Sequence, residues 1–356
     1  MADDVVQSFV GRVVDDRYEV SAELGEGAVG AVYKAMDRTT GKPVAIKIWH
    51  AGSHDVQTRG RFVREAKALD VLKHPNIVEV YGYGLVDNVP YVAMEFLQGE
   101  TLDDLIEKQE VMPSDLAFTL FKQMLSALSF AHGLNVVHRD LKPENIYLVP
   151  GPDGTPQVRI LDYGLAKFLA PEDDPLKGAA ITMTGMVMGT PLYMPPEQAA
   201  GGAIDLRVDV YAAGCIFFEM LSGRLPFLGD NQMELLRAHL QAPIPQISDV
   251  LPEVAAVPEL QAIFATSMAK KPDARYPAAT QMLAAVENLP PRPLRKLGEL
   301  AAKAAQAPDA IPMGGRPTAP TDLIPQPPGS DNKSVLIGGA VALVILLGAV
   351  MWSMAK

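Results

Sequence analysis

From Tyr18 to about Leu289 the chain alternates periodic apolar segments with turn signals. In KPVAIKIWH, Val44, Ile46 and Ile48 alternate with Ala45 and Lys47, which predicts a strand. Ala31-Val32-Tyr33-Lys34-Ala35 alternates in the same way directly after Gly25, Gly27 and Gly30, so the glycines are expected to join two antiparallel strands. TRGRFVREAKALDVLKHPNIV predicts a helix ending before Pro75, with Phe62, Leu69 and Leu72 on one side and Glu65 at helical spacing from them. SDLAFTLFKQMLSALSFAHG predicts a buried helix capped by Ser114 and stopped by Gly133. Next come a short strand at Val136-Val137, a charged loop, a strand from Ile146 to Val149 and the turn GPDGTP before VRILD. The apolar run Val210–Leu221 carries Glu219 and is too short to cross a membrane, so it predicts a core helix.

Beyond Leu289 the pattern breaks. Residues 290–334 are rich in Pro, Ala and Gly and read as a semi-extended linker, with one short helix at Leu294–Ala307. The chain then becomes SVLIGGAVALVILLGAVMWSMAK, with no charge between Lys333 and Lys356. About twenty apolar residues span roughly 30 Å as a helix, which predicts a transmembrane helix at 335–354 and a short tail at 355–356. A buried core helix is the weaker reading, because the run is apolar on every face. Arg292, Arg295, Lys296, Lys303, Arg316 and Lys333 lie on the linker side, and MADDVVQSF lacks a secretory pattern. The expectation is a single-pass protein of the plasma or inner membrane with its globular part in the cytoplasm. Gly338 and Ala342 lie one helical turn apart, which leaves a homodimer through this helix open.

Composition changes this picture little. A chain of 356 residues, 48% hydrophobic and 21% charged, is folded and long enough for two lobes. A net charge of -11 argues against a nucleic-acid partner. The single cysteine, Cys215, permits no intramolecular disulfide and reads as a buried small residue.

Two stretches carry chemistry. Gly25, Gly27 and Gly30 form GxGxxG, a pattern shared by several nucleotide folds. A dinucleotide fold needs a helix after the glycines, and a Walker loop needs Lys and Ser or Thr after Gly30; the chain has a strand pattern, beginning Ala31-Val32. A glycine hairpin lets backbone N–H groups approach an anion, although an ordinary turn uses glycine too. Glu65, on an apolar stripe, calls for a buried cation, and Lys47 is the candidate. In VVHRDLKPENIYLV, charged groups crowd between apolar runs, where they are costly unless they pair, bind metal or react. Asp140, Asn145 and Asp162 fall at the ends of neighbouring short elements. Oxygen donors there suit Mg²⁺, leaving Asp140 to face a hydroxyl.

Taken in order, LGEGAVGAVY, VAIK, Glu65, HRDLKPEN, DYG at Asp162, GTPLYMPPEQ, DVYAAG at Asp209 and Arg275 resemble the eukaryotic-type serine/threonine protein kinases, most closely the bacterial receptor-like branch. The resemblance implies an α+β bilobal kinase fold plus the C-terminal transmembrane helix. An N-terminal extension occupies 1–17 and the kinase domain 18–289, with a small β-rich lobe at about 18–97 and a larger helical lobe at about 98–289. By the same resemblance, Gly25, Gly27 and Gly30 close over ATP phosphates, and Lys47, paired to Glu65, holds them. Leu24, Val32, Ala45 and Met94 line an adenine slot whose edge meets backbone groups of Glu95 and Leu97. Asn145 and Asp162 ligate Mg²⁺, with Mn²⁺ as the alternative ion. Asp140 orients the substrate hydroxyl and accepts its proton, and Lys142 steadies the γ-phosphate.

Lys142 and Thr190 match the serine/threonine branch, and Gly189 to Glu197 resembles the segment that receives a polypeptide substrate. Tyr163 replaces Phe of DFG, Pro195 replaces Ala before Pro-Glu, and Tyr147 stands where an aliphatic residue usually lies under the adenine. Arg139 beside Asp140 suggests control by phosphorylation, with Thr182 and Thr184 as the acceptors. A membrane-tethered pseudokinase that recruits partners is the alternative. Its usual mark is a missing Lys, Asp or Asn, yet Lys47, Asp140, Asn145 and Asp162 are all present. A small-molecule kinase is disfavoured by the GTPLYMPPEQ segment.

Overall fold

The computed structural model describes residues 8–27, 30–50, 62–63, 66–109, 112–152, 154–163, 191–251 and 257–290. The first lobe is a six-stranded antiparallel sheet ordered β1-β2-β3-β4-β6-β5. Its strands are β1 (Val13–Val14), β2 (Tyr18–Glu26), β3 (Gly30–Asp37), β4 (Lys42–Trp49), β5 (Val80–Val86) and β6 (Val89–Glu95). Alternation in β4 buries Val44, Ile46 and Ile48, while Lys47 emerges beside Val32 of β3 and Val92 of β6. The pair Val13–Val14 extends this sheet into the segment that the sequence assigns to an N-terminal extension. Phe9 adds to the core there by packing edge-on against Tyr33.

The second lobe is mostly helical. It contains α1 (Leu102–Gln109), α2 (Ser114–Gly133), α3 (Pro196–Ala199), α4 (Arg207–Ser222), α5 (Gln232–Gln241), α6 (Pro258–Ser267) and α7 (Ala279–Glu287). A small sheet ordered β7-β8-β9, from Glu100–Thr101, Ile146–Val149 and Gln157–Ile160, lies at the cleft side. Every residue of α4 from Val208 to Ser222 is buried, so this apolar run is the axis of the lobe. Gly214 lets α6 come close, since a β-carbon there would lie 2.4 Å from the Ser267 hydroxyl.

The lobes are sewn together behind the cleft. Val78 N–H donates to Ile160 O at 3.0 Å, and Ile160 N–H to Asn76 O at 2.9 Å. The Asn76 amide then reaches Gln123 Oε1 of α2 at 3.0 Å and Val158 O at 3.1 Å.

Local expectations are revised at four places. Ser114 is the first residue of α2 and Pro113 takes the capping position, because an extended ψ of 128° at proline ends the preceding chain there. The left-handed residue after α2 is Asn135, at φ 58°, and not Gly133. Val136-Val137 is not a strand, since Val136 N–H bonds back to Ala131 O at the helix end. The helix before Pro75 finishes as a 3-10 segment, Lys67–Val71, with Phe62, Leu69 and Leu72 buried as expected. Among the described residues no helix is long and apolar enough to cross a membrane. The linker, the 335–354 run, Gly338 and Ala342 lie outside the described residues.

Candidate active site

The glycine hairpin crowns one side of the cleft. Gly25 pairs with Val32 within β2 and β3, Gly27 N–H donates to Gly30 O at 2.9 Å, and Gly30 stands opposite Trp49. A β-carbon on Gly30 would lie 2.4 Å from Ile48 O, so only glycine fits against β4. Beneath the hairpin, Val32, Ala45 and Met94 are buried, and Leu24 packs on the same core. Ala45 pairs with Met94 across β4 and β6. At the strand end Glu95 N–H is taken by Glu79 O at 2.8 Å. Two residues on, Leu97 packs partly buried on the core. Tyr147 of β8 is buried and its hydroxyl donates to Gly99 O at 2.9 Å, so the added polar atom has its partner. Burial pushes its phenol pKa up.

Lys47 crosses the cleft. Its Nζ lies 2.7 Å from Asp162 Oδ2, with side chains only 12% and 21% exposed. Glu65 lies outside the described residues; among those described, Asp162 is the carboxylate that Lys47 meets. Asp162 itself has φ 56°, a left-handed conformation that costs about 1–3 kcal/mol and recurs at functional sites.

Opposite lies the loop Val136–Asn145. Asn145 donates its amide to Asp140 O at 2.8 Å and to Asp140 Oδ2 at 3.2 Å. Lys142 Nζ stands 4.0 Å from the same carboxylate oxygen, and Asp140 is 63% exposed. An exposed carboxylate is thus oriented by two neighbours. Arg139 has φ 71°, the second left-handed residue of the site.

What holds this loop is a set of buried groups to which the sequence assigned no role. Asp209, buried in α4, accepts the N–H of Arg139 on Oδ1 at 2.8 Å and that of His138 on Oδ2 at 2.8 Å. His132 Nδ1 accepts the Ala279 N–H at 3.1 Å, so the proton sits on Nε2 and is donated to Asp209 at 3.0 Å. His138 Nδ1 likewise accepts Asp140 N–H at 3.3 Å, and its Nε2–H donates to Leu161 O at 2.8 Å, next to Asp162. Leu161 N–H closes the circuit on Asn145 O at 2.9 Å. His132 could have been found from its position on the buried side of a predicted helix.

Further down, Arg275 forks onto Glu197 with both bonds at 2.7 Å and stacks over Tyr211. Tyr193 OH donates to Glu219 Oε2 at 2.6 Å. Thr182, Thr184 and Thr190 lie outside the described residues.

The donor set suits a hard cation. Asn145 has its nitrogen committed to Asp140, which presents the amide oxygen as its ligand atom, and Asp162 supplies a carboxylate. Among the described residues no three His, Cys, Asp or Glu cluster into a cage. Mg²⁺ held by one or two protein oxygens together with phosphates fits that arrangement.

A β-rich lobe and a helical lobe meeting at such a cleft define the bilobal protein kinase fold. Residues 18–286 match the protein kinase domain family, and the chain belongs to it. It is 37% identical to the serine/threonine-protein kinase pkn3 of Myxococcus xanthus over 76% of this chain and 49% of that protein. A probable serine/threonine-protein kinase of Corynebacterium efficiens is 38% identical over 78% of this chain and 42% of its own length. The chain thus spans about half the length of these curated relatives or less. The crystal structure of the Mycobacterium tuberculosis PknI kinase domain superposes with a TM-score of 0.61 at 23% identity, covering 79% of this chain and 99% of that one.

Proposed function

We propose that this protein is a serine/threonine protein kinase, moving the γ-phosphoryl group of ATP to Ser or Thr hydroxyls of protein substrates. One observation carries the reading: Lys47, Asp162, Asn145, Asp140 and Lys142 converge on one cleft, linked by Lys47–Asp162 at 2.7 Å, the Asn145 amide on Asp140 Oδ2 at 3.2 Å and Lys142 Nζ 4.0 Å from that oxygen. Lys47 supplies positive charge for phosphates beneath the glycine hairpin. Asp140, exposed and fixed by Asn145, orients the acceptor hydroxyl and takes its proton. Asn145 and Asp162 would hold Mg²⁺, which when bound neutralises phosphate charge. Catalysis of this kind is mostly positioning and electrostatics. Transfer from radiolabelled ATP to a generic protein acceptor tests the reading: Asp140→Asn should lower it about a hundredfold or more. Equal transfer by wild type and variant would refute it, and no transfer by either would favour a partner-recruiting pseudokinase.

The reading includes anchoring by the 335–354 helix and activation by self-phosphorylation at Thr182 and Thr184. What supports the first is the length and polarity of that run, and the second the electrostatics of a cation beside Asp140. Deleting 335–354 should release the protein from the membrane fraction, and replacing both threonines with Ala should lower activity markedly.

A further inference from the structure

The glycine hairpin is fastened to β4 by a side chain outside the kinase motifs. His50 stands directly after the last residue of β4, and its Nε2 lies 2.8 Å from Gly27 O. A carbonyl oxygen only accepts, so Nε2 carries the hydrogen and donates. Glu26 Oε1 lies 3.9 Å from the same nitrogen. Gly27 is also the residue whose N–H closes the hairpin on Gly30 O at 2.9 Å. Gly30, in turn, sits flush on the Ile48 carbonyl, which lies 2.4 Å from where a β-carbon would be. The base of the hairpin is therefore clamped to β4 at Gly30 by close backbone packing and at Gly27 by the imidazole. Because a peptide unit is planar, pinning the Gly27 carbonyl sets the orientation of the whole unit that leaves Gly27.

We propose that His50 is a positioning residue for the phosphate-binding hairpin: its N–H holds the Gly27 carbonyl against β4 and so preorganises the hairpin for nucleotide. This rests on the proposed kinase function, in which Gly25, Gly27 and Gly30 cover ATP phosphates. The side chain is 35% exposed, so the bond competes with water and its effect is that of one ordinary hydrogen bond. Preorganisation lowers the concentration of ATP needed to fill the site and leaves the step at Asp140 untouched.

The test uses the full chain with His50→Leu, which removes the donor, and His50→Gln, whose amide nitrogen has about the reach of Nε2. Initial rates at saturating protein acceptor, over a range of ATP concentrations, should show KM for ATP raised about three- to tenfold in His50→Leu, as loss of one hydrogen bond predicts. Its kcat should stay within about twofold of wild type, and His50→Gln should restore most of the KM. Thermal unfolding midpoints establish that all three chains are folded. An unchanged KM in His50→Leu, a fall in kcat alone, or equal impairment by Leu and Gln would overturn the proposal. Absence of transfer by wild type would strike instead at the assignment of the cleft. Titration of the same three chains with Mg²⁺ and ATP in a calorimeter then decides the latch, and equal dissociation constants for wild type and His50→Leu would reject it.

Discussion

Lys47 and Asp162 are separated by 115 positions in the chain, yet their charged atoms meet at 2.7 Å. One rises from a strand of the small lobe and the other stands two residues after β9. The contact joins the two lobes, and in the proposed function it marks where phosphate charge is neutralised. Replacing Lys47 with Met should lower phosphoryl transfer by about a hundredfold or more, because a fixed charge aimed at the reacting group is lost. Steady-state rates check this, with circular dichroism confirming an intact fold.

Asp209 makes a second prediction. Its two oxygens accept the His138 and Arg139 N–H groups and the His132 ring, all at 2.8–3.0 Å. Asp209→Asn turns one acceptor into a donor facing a donor and removes a buried charge-assisted set. The loss should be about 2–3 kcal/mol of stability, read from urea midpoints, with kcat reduced more than KM for ATP.

A third concerns acid. His239 is fully buried in α5, its Nδ1 2.9 Å from Tyr211 OH, with Lys270 packed against the same Phe227 ring. Burial first, and the Lys270 charge second, push the imidazole down to about 3. The unfolded chain takes up this proton near pH 6.5, whereas the folded chain holds off until about 3. Above 6.5 the group is neutral in both states and contributes nothing. As pH falls below that value it should destabilise the native state by roughly 1.4 kcal/mol per pH unit. His239→Gln keeps a partner for Tyr211 and cannot titrate. Urea midpoints between pH 7.5 and 5.5 should therefore decline less steeply in the variant.

Tyr163 offers the opposite sign. It is buried, 4.8 Å ring to ring from His138, and its hydroxyl has no partner among the described residues. Burial drives the phenol pKa well above its usual value. Tyr163→Phe removes a desolvated oxygen and should stabilise the fold by about 1 kcal/mol, a rise of roughly 2–4 °C in Tm. An unchanged or lower Tm would indicate that the hydroxyl has a partner.

Strand alternation around Lys47 and the apolar run at Val210–Leu221 were legible because period and burial agree in both. The glycine hairpin was legible for a different reason: the residues after Gly30 alternate as a strand. Val136-Val137 misled, since β-branched residues favour a strand only where a partner strand exists, and here the N–H of Val136 is taken by a helix end. Pro113 displaced Ser114 from the cap because ring geometry outranks a hydroxyl. Of His132 only the buried position was legible, and the work of Asp209, His132 and His50 was not. Each acts on backbone groups remote in the chain, and backbone atoms leave no trace in residue identity.

The stitching of Asn76, Ile77 and Val78 to Ile160 means that division by sequence and division by space disagree. A fragment cut after residue 97 would carry away a ribbon whose partners stayed behind, baring the Asn76 amide and the main chain around Val78 to water. Neither half would then be a self-sufficient folding unit, and recombining two separately made halves should require each to complete the other.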